Sequence, residues 1–311
     1  MSDCLIVTTV AREFAEEIER LADFPIRVRA CTSAQEALAA YAGETVLFGS
    51  PGMIAEILPR LPRVRWVQSS WAGVTPLIEL GRRDYVLTGV RDVFGPQMSE
   101  YVIGYLLAHE LRILRRVKAQ RGQQWLRDHS GMLGGKRLGI MGTGSIGRHI
   151  AATASCLGMR AVGLSRSGRS VDGFEQVFAV DRLYEFLGEV DHLVSVLPQT
   201  AGTDRLLDAG ALACLPAGAC FINVGRSNVV DHAALRAALS GGRLGCAVLD
   251  VFDAEPLPAG SPLWNTPDLL VTAHIAAISH PLLIVPVFVE NYRRWINDRP
   301  LQYLIDFDAG Y

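Results

Sequence analysis

Residues 136–147 read KRLGIMGTGSIG, an apolar run that opens onto Gly142, Gly144 and Gly147. Glycines at this spacing, between a strand and a helix, make a turn whose backbone can approach a pyrophosphate. The new helix then offers the diphosphate its unpaired N–H groups. Thr143, Ser145 and Ile146 complete the loop, and IGRHIAATASCLG leads out with small residues on a helical face until Gly158. The next strand, RAVGLS, ends at Ser165, where an Asp or Glu ordinarily holds the adenosine ribose 2′-hydroxyl. A carboxylate there would repel a 2′-phosphate. This chain has Ser165 followed by Arg166 and Arg169 in LSRSGRS, and a guanidinium can grip a phosphate with two parallel hydrogen bonds. The stretch therefore points to NADP(H) as the preferred cofactor, with NAD(H) as the second; its plain alternative is a solvated basic loop.

Three more segments carry reactive side chains at strand ends, where open α/β sheets place their ligands. CFINVGRSNVVD (220–231) delivers Arg226, LDVFDAEPLP (249–258) delivers Asp250 and Glu255, and LLVTAHIAAISHP (269–281) delivers His274. Singly, each has a plain reading: a surface ion pair, a turn-stabilising acid, a structural imidazole. As an ordered set they favour function.

The elements that must position these residues follow from hydropathy. Short β-rich runs (5–10, 26–31, 45–49, 64–69, 85–89) alternate with helical patterns over the first 95 or so residues. Such alternation predicts a parallel sheet covered by helices. One long helix is expected from Gln97 through residue 118, apolar on a broad face and basic at its end, as a connector. A second alternating block, with strands at RLGIMG, RAVGLS, QVFAV, HLVSVL, CFINVG, GCAVLDV and LLVTA, has the order of a doubly wound dinucleotide-binding domain. The last helix and tail are too short for a domain and are expected to rejoin the first. The division is thus 1–96 plus 276–311 for a discontinuous first domain and 97–275 for the dinucleotide-binding domain.

At 311 residues the chain is long enough for two cores, and its net charge of −2 gives no reason to expect a nucleic-acid or membrane partner. The N-terminus, MSDCLIVTTV followed by AREFAEEIER, lacks the pattern of a secretion signal, and no stretch approaches a membrane span. Cys4, Cys31, Cys156, Cys214, Cys220 and Cys246 lie in apolar segments without a C-x-x-C pair, which reads as buried reduced thiols and a cytoplasmic setting. No metal-binding spacing is present, so no metal is expected.

These segments, with GTGSIG and the LPQTAGT of 197–203, resemble the D-2-hydroxyacid dehydrogenase family over nearly the whole chain. Within it, SRSGRS, WAGV at 71–74 and HIAAIS look most like bacterial NADPH-dependent glyoxylate/hydroxypyruvate reductases. The resemblance implies an α/β protein of two Rossmann-like or flavodoxin-like domains with parallel sheets and an active site in the interdomain cleft. It implies that Arg226 binds the carboxylate and carbonyl of a 2-keto acid, that His274 is the general acid, and that Glu255 orients the imidazole. Backbone N–H groups of Ala72, Gly73 and Val74 would complete the carboxylate site. Leu197, Pro198, Thr203 and Val224 would line the cofactor, and Asp250 would face the nicotinamide carboxamide. A homodimer is implied, with the helix from 97 to 118 and the segment around Trp125 as interface material.

Trp71 either shapes the pocket or packs the first domain, Arg91 is a weaker substrate contact, and His280 could border the pocket. His109, His129, His149, His192 and His232 take structural readings. The family's usual proline before the catalytic histidine is Ala273 here. Two other readings stay open: reduction of another 2-keto acid (phenylpyruvate or branched-chain), or a dinucleotide-sensing binding protein without enzymatic activity.

Overall fold

The computed structural model describes residues 3–308. The chain divides into two compact units, one running to Val93 and resuming at Ser279, the other spanning Phe94–Ile278. The changeovers therefore lie at 93/94 and 278/279, against the expected 96/97 and 275/276.

In the first unit, β1 (Cys4–Val7), β2 (Val28–Cys31), β3 (Val46–Gly49), β4 (Trp66–Ser69) and β5 (Val86–Thr88) form one parallel sheet in the order β2-β1-β3-β4-β5. Every residue of β1, β3 and β4 is buried, as befits strands covered on both faces. Between them run α1 (Ala11–Leu21), α2 (Ala34–Ala40), α3 (Pro51–Ile57) and α4 (Thr75–Glu79). α2 starts at a capping sequence: Ser33 Oγ accepts from Glu36 N at 3.1 Å, and the Glu36 carboxylate accepts from Thr32 N at 2.7 Å.

The C-terminal helix, Pro281–Ile296, packs back onto this unit against α1. Phe288 stacks on Phe48 with ring centroids 4.3 Å apart and on Trp66 at 5.6 Å. Asn291 Nδ2 donates to Gln68 Oε1 at 3.0 Å, so a buried polar pair is satisfied between helix and sheet.

The second unit contains β6 (Arg137–Met141), β7 (Arg160–Ser165), β8 (Gln176–Ala179), β9 (His192–Ser195), β10 (Ala219–Asn223), β11 (Leu244–Leu249) and β12 (Leu269–Val271). All pair in parallel, in the order β12-β11-β10-β9-β6-β7-β8. Its helices are α5 (Gly95–Glu110), α6 (Ile113–Arg121), α7 (Ser145–Cys156), α8 (Leu183–Gly188), α9 (Ala209–Cys214) and α10 (His232–Ser240). Strand residues alternate between two cores: Leu138, Ile140, Cys220, Ile222 and Val248 enter one, and Met141, Phe221, Ala247 and Leu249 the other. The strand order reverses between β6 and β9, which is where sheets of this topology leave a crevice.

The single helix expected from Gln97 to residue 118 is two helices. Arg112 takes a left-handed conformation (φ +53°) between α5 and α6. The segment 128–131 imposes the break: Gly131 N caps the Glu110 carbonyl at 2.8 Å, and Arg112 Nη1 pairs with Asp128 at 3.0 Å. Trp125 is 86% exposed and so is no part of the core of this unit. The cysteines also depart from expectation, since Cys156 is exposed and Cys214 half-buried, while Cys4, Cys31, Cys220 and Cys246 are buried. Among the described residues no helix is long and apolar enough to cross a membrane.

Candidate active site

The glycine turn lies at the C-terminal end of β6, at the point where the strand order reverses. Gly142 adopts φ +107°, and its N–H donates to Leu164 O at 2.9 Å. Gly147 lies in the first turn of α7 against that bend: a Cβ there would come within 2.0 Å of the Gly142 carbonyl oxygen. Gly144 is the N-cap of α7, no side chain caps the helix, and nothing lies within 4 Å of where a Cβ of Gly144 would stand. Uncapped N–H groups beside open space fit an anionic diphosphate.

Along the same C-terminal edge, β7 ends at Ser165, whose Oγ accepts from Gly168 N at 3.1 Å. This bond closes a tight turn, with Gly168 at φ +64°, that leaves Arg166 and Arg169 exposed. Both side chains are exposed, so their donors can meet an anion from solvent. β9 continues into Leu197 and Pro198, and Val196 N donates to Met141 O at 3.0 Å, keeping this loop beside the glycine turn. Thr203 Oγ1 donates to Pro198 O at 2.8 Å and so pins the same loop.

β10 delivers Val224, buried, and then Arg226. Two bonds from Asn223 shape that turn: Nδ2 donates to Arg226 O at 2.9 Å, and Oδ1 accepts from Gly225 N at 3.1 Å. Arg226 Nη1 donates to Gly225 O at 2.7 Å. Burial pulls the Arg226 guanidinium below its ordinary value, and Glu255 pushes it back up. Arg226 and Glu255 thus sense one another electrostatically.

Glu255 Oε2 lies 2.8 Å from His274 Nδ1, and its Oε1 accepts from Phe252 N at 2.9 Å. Because a carboxylate only accepts, the Nδ1 of His274 carries the proton, and Nε2 is the nitrogen directed elsewhere. His274 itself sits at φ +54°, with its N–H on Asp250 O at 2.9 Å. Asp250, 1% exposed, accepts from Thr272 Oγ1 at 2.6 Å, Ile275 N at 2.8 Å and Ala276 N at 2.9 Å. Its carboxylate is the brace of the His274 segment. Sequence reasoning did not find this use of Asp250, nor the part played by Asn223 and Thr272; the one sequence signal was their position at strand ends.

The first-unit candidates occupy the C-terminal edge of their own sheet. Trp71 is 47% exposed, with its backbone N and O both bonded to Ser69 Oγ, at 3.0 and 2.8 Å. Ala72 is exposed, Gly73 half-buried and Val74 buried as the N-cap of α4. Arg91 is exposed just past β5. His280 caps the C-terminal helix, its Nδ1 accepting from Leu282 N at 3.3 Å. Of the histidines given structural readings, His192 is buried on Glu110 at 2.8 Å, and His149 bonds Ser99 Oγ at 2.7 Å.

Residues 103–276 match the NAD-binding domain of the D-isomer specific 2-hydroxyacid dehydrogenases. Over 224 residues the chain is 34% identical to glyoxylate/hydroxypyruvate reductase A of Salmonella newport, covering 70% of each protein. Among solved structures, a D-isomer specific 2-hydroxyacid dehydrogenase family protein from Aeromonas salmonicida superposes with a TM-score of 0.93 at 38% identity, over 99% of this chain and all of that one. The NADPH-dependent glyoxylate/hydroxypyruvate reductase of Sinorhizobium meliloti, solved with NADP and sulfate, gives 0.86 at 27% identity, over 99% of this chain and all of that one.

Proposed function

The chain belongs to the D-isomer specific 2-hydroxyacid dehydrogenase family, and we propose that it is an NADPH-dependent reductase of a small 2-keto acid, glyoxylate or hydroxypyruvate. The observation that supports this most is the His274–Glu255 pair at 2.8 Å, on the same sheet edge as Arg226 and the glycine turn.

Residues 142–147 would hold the diphosphate, Arg166 and Arg169 the 2′-phosphate, and Leu197, Pro198, Thr203 and Val224 would line the remainder. NADPH, when bound, supplies the hydride that C2 of the keto acid takes up. Arg226 binds the substrate carboxylate and carbonyl with its fork of donors and polarises the carbonyl. His274, held by Glu255, gives its Nε2 proton to the oxygen as C2 is reduced, so that the D-2-hydroxy acid leaves neutral at that oxygen. In oxidation the neutral imidazole takes the same proton back. Ala72, Gly73 and Val74 are assigned to the substrate carboxylate, and Trp71 and Arg91 to weaker substrate contacts, on the family resemblance. The same resemblance assigns a homodimer, and the exposed Leu114, Trp125 and Met132 are the apolar residues it would cover. Sedimentation at micromolar protein tests that assignment, a single monomer mass counting against it.

The test of function is a panel of 2-keto acids, each assayed with NADPH and with NADH. Glyoxylate or hydroxypyruvate with NADPH should give the highest kcat/KM. A preference for phenylpyruvate or branched-chain keto acids would move the substrate assignment, and no turnover with any of them would favour a dinucleotide sensor.

A further inference from the structure

The opposite, N-terminal edge of the second sheet holds a cluster that the reductase chemistry does not use. Cys220 and Cys246 are direct partners in the parallel register of β10 and β11. His109, on α5, lies across them, so that one ring nitrogen and both sulfurs are all within 4.8 Å of one another. We propose that His109, Cys220 and Cys246 form a binding site for a thiophilic divalent cation of the Zn2+ type, with the fourth coordination position open to a pocket.

The donor set selects the ion. One imidazole and two sulfurs suit Zn2+ and exclude Mg2+ or Ca2+, which take oxygen ligands. Three protein ligands leave a place for water, and access exists. An open pocket of about 760 Å3 is lined by His109, Cys246, Gly218, Lys136 and Asp268. Charge also balances. Binding sends the two thiol protons to solvent, and two thiolates neutralise the dication, so no net charge is added to a buried place. The neighbouring Lys136–Glu110 contact is itself a neutral pair.

A competing set, His109, Glu110 and His192, lies equally close, but its donors are committed. His192 Nδ1 accepts from Cys220 N at 3.2 Å, so its proton is on Nε2, which donates to Glu110 Oε1 at 2.8 Å. The same carboxylate oxygen holds Lys136 Nζ at 2.5 Å. No lone pair of His192 is left for a metal. His109 Nε2 lies 3.2 Å from Gly218 O, a contact that orients its ring, and its side chain also meets Cys246, the neighbouring ligand. The spacing 109, 220 and 246 matches no metal motif because sheet register and not sequence proximity assembles it.

The test uses full-length protein stripped with a chelator and titrated with Co2+, then with Zn2+. One equivalent of cobalt should bind, with a near-ultraviolet thiolate-to-cobalt charge-transfer band and the visible bands of tetrahedral cobalt, and zinc should abolish both. Cys246→Ser and His109→Gln should each weaken binding by roughly a hundredfold or more, beyond the 10–100-fold typical of lost outer partners. Cys156→Ser and Cys214→Ser should leave the spectrum unchanged. His109→Gln lies on a half-exposed helix face and keeps the test open if the buried Cys246 variant fails to fold, which far-ultraviolet circular dichroism reports. Absence of the charge-transfer band at one equivalent, or a cobalt affinity as tight as wild type in either ligand variant, overturns the site.

Discussion

Asp250 Oδ1 lies 2.8 Å from the backbone nitrogen of Ile275, the residue that follows His274. With the bonds to Thr272 and Ala276, a buried carboxylate on one strand end fixes the loop that carries the proposed acid from the next. His274 is kept at a positive φ that an unbraced histidine would leave. Asp250→Asn replaces an accepting oxygen by a donating NH2, so one of these donors loses its partner, at roughly 1–3 kcal/mol. The melting temperature should fall by several degrees and kcat should fall with it. The Kd for NADPH, measured alongside, separates bracing from a direct nicotinamide contact: bracing leaves it near wild type, a contact raises it. Wild-type melting and turnover together would dismiss the brace.

His274→Ala should lower turnover at least a hundredfold, the scale of a lost general acid, while NADPH affinity stays nearly unchanged. Glu255→Gln keeps an acceptor on the ring but removes the charge, and should lower kcat less than the histidine variant does. Steady-state rates with fluorescence titration of NADPH check both. A Glu255→Gln enzyme as slow as His274→Ala would mean that the carboxylate does more than orient the ring.

The exposed guanidiniums after β7 make a separate prediction. Arg166→Ala should raise KM for NADPH by about tenfold or more, the loss of a charge-assisted bond of about 1.5–3 kcal/mol, and leave KM for NADH almost untouched. Ser165→Asp should go further and turn the preference toward NADH, because the new carboxylate repels the 2′-phosphate and accepts from the ribose hydroxyl. Equal losses with both cofactors would show that the basic turn is only solvated surface.

Burial pushes the His232 imidazole below its ordinary value, against the pull of Asp253 and Asp231. The folded value is therefore the lower one, and between it and the unfolded value of about 6.5 the unfolded chain binds more protons. Stability should drop as pH falls from neutrality through that window, and His232→Gln should flatten the slope. Urea midpoints across the range give the measurement; parallel slopes for both proteins would remove His232 as the cause.

What could be read from the sequence was what is local. Alternating apolar runs located the strands, and the glycine spacing located the turn, because each depends on residues within a few positions of one another. The strand ends carrying Arg226, Glu255 and His274 were legible for the same reason. The break at Arg112 was not, since it depends on Asp128 and Gly131, which return from outside the helix. Nor was the brace from Asp250, or the pairing of Cys220 with Cys246, because both follow from the register between strands. Hydropathy cannot tell one register of two buried parallel strands from the next.

The stacking of Phe288 on Phe48 couples the two ends of the polypeptide in time as well as in space. A ribosome releases the first 93 residues long before the helix that fills their aromatic layer. Until that helix is made, Phe48 lacks Phe288, and Trp66 lacks Phe288, Tyr292 and Trp295. The first unit to begin is thus the last to be completed, since every residue of Phe94–Ile278 is synthesised before the helix that closes its core.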